Sequence, residues 1–147
     1  MKRVVVCVLA ILPHMACGEG VTDPWPEVAI VTVGTEFALV EETVAISYAI
    51  SNLSTETTYY IPGRGCGSPE IQVDRRLGGR WVGYDIPPAG PCLAVLGPGS
   101  VTLAPFETFE GWISLNSAGV FRLRFPVRVQ GNPDSERQQA SNSFLVH

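Results

Sequence analysis

Two pairs of carboxylates stand close enough along the chain to suggest acid–base chemistry, Glu41 with Glu42 and Glu107 with Glu110. Cleaving a glycosidic bond needs two carboxyl groups that face the bond from opposite sides. Neighbouring residues of an extended chain point to opposite faces, so Glu41 and Glu42 read as a solvated turn. Glu107 and Glu110 flank Phe109 near a corner and have no better claim. A serine or cysteine nucleophile wants a histidine base, and after residue 17 the sequence holds only His147. No residue is therefore assigned a catalytic role.

Binding chemistry has more material. Arg122, Arg124 and Arg128 recur at even spacing, a stripe that can grip an acidic ligand through charge-assisted hydrogen bonds. The same stripe suits a solvated strand face paired with acids opposite. Arg64 lies in G-R-G-C-G at 63–67, where it can be offered to a protease on an exposed rigid loop or belong to a stapled turn. Trp25, Trp81 and Trp112, with Tyr59, Tyr60 and Tyr84, supply aromatic surface. Trp25, in D-P-W-P, is expected to be the exposed tryptophan; Trp112, read as alternating with Phe109, is expected near the core. The candidate binding residues are thus Arg64, Trp25, Arg122 and Arg124. No metal, phosphate or nucleotide motif converges anywhere, so no metal and no cofactor is expected.

The N-terminus carries a different message. Lys2 and Arg3 precede an apolar run over 4–12, which has the form of a cleavable export signal and is too short for a permanent span. M-A-C-G at 15–18 resembles a bacterial lipobox, and the resemblance implies cleavage after Ala16 and lipidation of Cys17. Ordinary signal-peptidase cleavage is the other route. Residues 1–16 are then the signal peptide, 17–26 a lipidated cysteine and tether, and 27–147 the folded body. Loss of Lys2 and Arg3 leaves eight basic residues, all arginine, against 14 acidic ones, a net charge of −6. Such an acidic surface argues against nucleic acid as a partner.

Of the 4 cysteines, Cys7 leaves with the signal and Cys17 is the lipid candidate, which leaves Cys66 and Cys92. In an exported protein these two most simply form one disulfide. In the loop-entropy model, closing about 26 residues stabilises by on the order of 3 to 4 kcal/mol. Two free buried thiols are the alternative.

The elements that must carry these residues are strands. The chain holds 15 glycines and 12 prolines, and no stretch after residue 17 keeps a helical apolar period. The clearest strand spans 119–129, where Phe121, Leu123, Phe125 and Val127 alternate with the arginines. One face of such a strand packs and the other meets water. Others are expected over 27–33, 43–52, 57–61, 70–75, 80–84, 101–103, 108–115 and 141–147, with Gly78-Gly79 turning a hairpin. Residues 63–69 and 85–100 are expected to be irregular, and 131–139 to be polar, with N-P-D-S as a turn. This rhythm is that of an all-β, antiparallel sandwich in one domain.

The segments V-A-I-S-Y-A-I-S-N at 44–52, L-G-G-R-W-V at 77–82, S-A-G-V-F-R-L-R-F at 117–125 and the terminal S-N-S-F-L-V carry a resemblance to immunoglobulin-like β-sandwiches of exported bacterial proteins. Their order is also similar to the BsuPI-type proteinase-inhibitor domain. The resemblance implies an immunoglobulin-like fold. The expected role is a non-catalytic, lipid-anchored module of the cell envelope, tied to the membrane through Cys17 and meeting a protein or glycan with its disulfide-stapled loops. A proteinase inhibitor is the second reading, and a small hydrolase using Glu107 or Glu110 the third.

Overall fold

The computed structural model describes residues 24–65, 68–86 and 99–147. They form strands β1 (Val28–Thr32), β2 (Glu36–Phe37), β3 (Val44–Asn52), β4 (Tyr59–Ile61), β5 (Gly63–Gly65), β6 (Ser68–Pro69), β7 (Gln72–Leu77), β8 (Arg80–Tyr84), β9 (Val101–Leu103), β10 (Thr108–Leu115), β11 (Gly119–Val129), β12 (Arg137–Ala140) and β13 (Phe144–Val146). No α-helix occurs among the described residues. The expected signal segment, Cys17, Cys66 and Cys92 lie outside them.

Two sheets face each other. The smaller is ordered β1-β3-β10; the larger is built around β11, with β12 and β13 along one side and β4 and β7 along the other. β8 extends β7, β9 extends β4, and β2 runs parallel to β13. Taken in chain order, this sets strands A, B and E against G, F and C, with β8 in the C′ place. The fold is an immunoglobulin-like β-sandwich.

Alternation in sequence becomes alternation in space. Phe121, Leu123, Phe125 and Val127 are fully buried, as are Ile46 and Ile50 of β3. Tyr48 of β3 closes the gap between the sheets, its ring 5.2 Å from that of Phe125. Opposite Tyr48 in the register sits Gly111 of β10. A Cβ there would lie 2.5 Å from the Tyr48 hydroxyl, so the tyrosine ring occupies the volume that any other residue at 111 would need.

The structure departs from the sequence reading in places. Residues 63–69, expected to be irregular, contain the short ribbon β5–β6 with a register shift. Residues 131–139, expected to be polar with a turn at N-P-D-S, include most of β12, whose pattern R-Q-Q-A gives no apolar alternation because its inward residues are Arg137 and Gln139. Two-residue β2 was too short to read. Trp112 is 66% exposed, against the expectation that it lies near the core. Phe109 and Trp112 are three positions apart, and an odd separation on a strand puts side chains on opposite faces.

One proline shapes the larger sheet. The N–H groups of Leu123 and Val129 donate toward Ser141 and Ser135 on the β12 side, while that of Gln130 donates to Thr58 on the β4 side. Even-numbered positions of β11 therefore address β4 and β7. Pro126 is one of them and has no N–H to give. Pairing on that side stops at Arg124 with Gln72 and resumes at Arg128 with Tyr60. The chain between β4 and β7 leaves the sheet at this gap and returns through β5 and β6.

Candidate functional site

The detour opposite Pro126 borders a cleft of about 460 Å³. Arg64 comes to it from β5, Glu70 and Gln72 from the return into β7, Tyr84 and Asp85 from the end of β8, and Arg124 from β11. Buried Val73 and Ile71 also line it. Two of the residues singled out in the sequence, Arg64 and Arg124, thus meet at one place although sixty positions separate them. Cys66 follows Arg64 by two residues, and the segment that contains Cys92 leaves from Ile86, which also lines the cleft.

The arginines differ in what they are free to do. Arg124 is held: its Nη2 donates to Asp74 Oδ1 at 2.9 Å, and its Nε lies 2.7 Å from Oδ2. Arg122 donates from Nε to Asp74 Oδ2 at 2.8 Å, with its guanidinium stacked 4.6 Å above the ring of Trp81. Asp74 is only 3% exposed between them. Arg128 is paired with Glu136. The arginine stripe of β11 is therefore bound to acids of neighbouring elements. Arg64 is exposed and makes no ion pair among the described residues.

Trp25 is not part of the cleft lining. It is half-buried, with its ring 5.7 Å from that of Tyr59 and the Arg137 guanidinium 4.1 Å above it. Its carbonyl accepts from Gln139 Nε2, and Tyr59 donates its hydroxyl proton to Glu27 Oε2 at 2.5 Å. The expectation of an exposed Trp25 is corrected by this packing, which straps the lead-in across β4 and β12. Burial, and then the Glu27 bond, push the Tyr59 phenol up to about 12; burial alone does the same for Tyr48.

Of the carboxylate pairs, only Glu107 has a side-chain hydrogen bond among the described residues. Glu41 and Glu42 are exposed, with φ of 50° and 69° in the turn before β3. Glu107 Oε2 accepts from the Ala104 N–H at 2.8 Å, bracing the corner before β10, whereas Glu110 is exposed on the strand. Among the described residues no cluster of histidine, cysteine and carboxylate could hold a metal ion. Asp74 was missed by sequence reasoning. Its signal, a lone acid two positions from the start of a strand in an arginine-rich chain, acquires meaning only once β7 is known to lie beside β11.

No protein-family model matches the chain, and no curated protein matches it in sequence. Among solved structures it is similar to the ASH/PapD-like domain of human CEP192 (PapD-like domain 7), at 14% identity and a TM-score of 0.44. That similarity covers 92% of this chain and 96% of the other. The immunoglobulin-like order given above is read from this chain's own strand pairing.

Proposed function

We propose that the protein is a non-catalytic binding module of the cell envelope, anchored through lipid on Cys17, whose cleft beside Arg64 receives a protein segment or a glycan. The observation that carries this reading is the cleft itself. It gathers Arg64, Glu70, Gln72, Tyr84 and Asp85 at the break opposite Pro126. Opposite charges, an amide and one aromatic ring suit recognition of a polar chain, and the mechanism is complementarity without bond making. A disulfide between Cys66 and Cys92 would tie the chain that follows Arg64 to the chain that follows Ile86, two residues of the cleft lining.

Two measurements test the proposal. The intact mass of protein from its host's membrane fraction should show a chain beginning at acylated Cys17 and gaining about two daltons on reduction. An unmodified N-terminus at residue 1 would remove the anchor. The purified protein should bind peptidoglycan or envelope protein, and Arg64→Ala with Asp85→Ala should weaken that binding at least about tenfold. Equal binding by wild type and variant would remove the cleft from the function.

Proteinase inhibition is the second reading, favoured by the exposure of Arg64 on the narrow β5–β6 ribbon. It expects inhibition of an arginine-specific serine protease that disappears in Arg64→Ala. A panel of such proteases left uninhibited by the wild-type protein would end it.

A further inference from the structure

The hairpin of β7 and β8 stands apart in charge from the rest of the molecule. The chain as a whole has a net charge of −4, yet residues 72–84 carry Arg75, Arg76 and Arg80 against a single acid, Asp74. That acid is already consumed by Arg122 and Arg124. Arg75 is also occupied, since its Nη2 donates to the Ala118 carbonyl at 2.6 Å. Arg76 and Arg80 are exposed and have no partner among the described residues.

Register explains why the tip is bare. β7 pairs with β11 only from Gln72 to Arg75, and the Arg75 partner is Phe121, near the start of β11. Arg76, Leu77, Arg80 and Trp81 pair only with each other, beyond the last rung to β11. Gly78 and Gly79, with φ of 55° and 83°, close the turn in a backbone conformation that suits a tight two-residue hairpin. Past the edge of the core, Leu77 and Val82 are exposed at 51% and 47% on one face. Arg80 shares that face; Trp81 and Arg76 lie on the other, Trp81 under Arg122.

We propose that the tip of this hairpin is a docking surface for an acidic segment of a partner protein. Arg80, on the face of Leu77 and Val82, would pair with one of its carboxylates while those two cover an apolar side chain, and Arg76 would take a second carboxylate from the opposite face, across the Gly78-Gly79 turn. The planar guanidinium fork matches a carboxylate in a way that a point charge does not. Arg80 stands opposite Leu77, and arginine beside exposed apolar side chains suits a protein interface. A polyanion would be served by charge alone and would leave Leu77 and Val82 without a role. This surface lies outside the Arg64 cleft and does not depend on it.

The test is binding of the folded protein to a glutamate–tyrosine copolymer, with dextran sulfate and phosphatidylglycerol vesicles as comparisons. The copolymer should bind more tightly than either. Arg76→Ala with Arg80→Ala should weaken it at least about tenfold, and Leu77→Ser with Val82→Ser by a similar factor. Both variants lie outside the core, so their melting temperatures should match the wild type. The proposal is overturned by no copolymer binding, or by binding indifferent to the arginine pair. Equal affinity for dextran sulfate or vesicles with no effect at Leu77 and Val82 would assign the tip to a polyanion or a membrane instead. Concentration-dependent self-association abolished by the arginine pair would assign it to a second copy.

Discussion

Asp74 of β7 lies directly across from Arg122 of β11 and accepts its Nε hydrogen bond at 2.8 Å on the outer face of the larger sheet. The same carboxylate takes Arg124, so one buried acid serves two strand arginines. Removing a buried partner leaves uncompensated charge. Here the arginines are 23% and 29% exposed and can turn toward water, which lowers the cost. Asp74→Ala should destabilise by about 2 kcal/mol, seen as a lower urea midpoint at unchanged slope. It should also free Arg124 to move in the cleft.

Gly111 and Tyr48 share one volume. Gly111→Ala places a methyl group 2.5 Å from the Tyr48 hydroxyl and 2.6 Å from Cζ, and the ring is packed against Phe125 and Phe109. Overpacking of this kind costs about 1 to 3 kcal/mol. Thermal unfolding should report that loss, and Tyr48→Leu in the same chain should recover part of it.

Asn52 ties three segments together. Its Nδ2 donates to the carbonyls of Thr57, Leu103 and Ala104 at 2.8, 3.0 and 3.0 Å, while its Oδ1 accepts from the Ser54 N–H at 2.9 Å. Asn52→Ala should cost about 2 kcal/mol by stranding these groups. Asn52→Asp should cost more, because a carboxylate would then face three carbonyl oxygens. Chemical denaturation of the two variants at neutral pH checks the order.

Alkaline stability follows from the buried phenols. Tyr48 and Tyr59 titrate at about 12 when folded, against 10.0 when free. Below the free value both states hold their protons and the stabilisation is complete. Between the two values the unfolded chain has lost protons that the native state keeps, so stability falls as pH rises through that window. Denaturation midpoints at about pH 9 and about pH 11 should show the fall, and Tyr48→Phe should reduce it by removing one titrating phenol.

Much of the architecture was legible in local pattern. Apolar residues two apart identified β3 and β11 and told which face of each is buried, and the Gly78-Gly79 turn located the β7–β8 hairpin. These features follow from the alternation of side chains along one extended strand and need no partner to be defined. β12 was hidden because a strand whose inward residues are arginine and glutamine shows no apolar period.

The sequence by itself determined the all-β class, the buried face of the main strand, the acidic charge and the residue types available for binding. Only the tertiary structure decided which of those residues meet. Pro126 withholds a donor on one side of β11, the neighbouring strand breaks there, and Arg64 and Arg124 come to line one cleft. Lateral pairing likewise set Asp74 between two arginines and folded Trp25 under Arg137. Periodicity tells a strand which way its side chains point, whereas its neighbours are chosen by hydrogen bonding and packing between segments far apart in the chain.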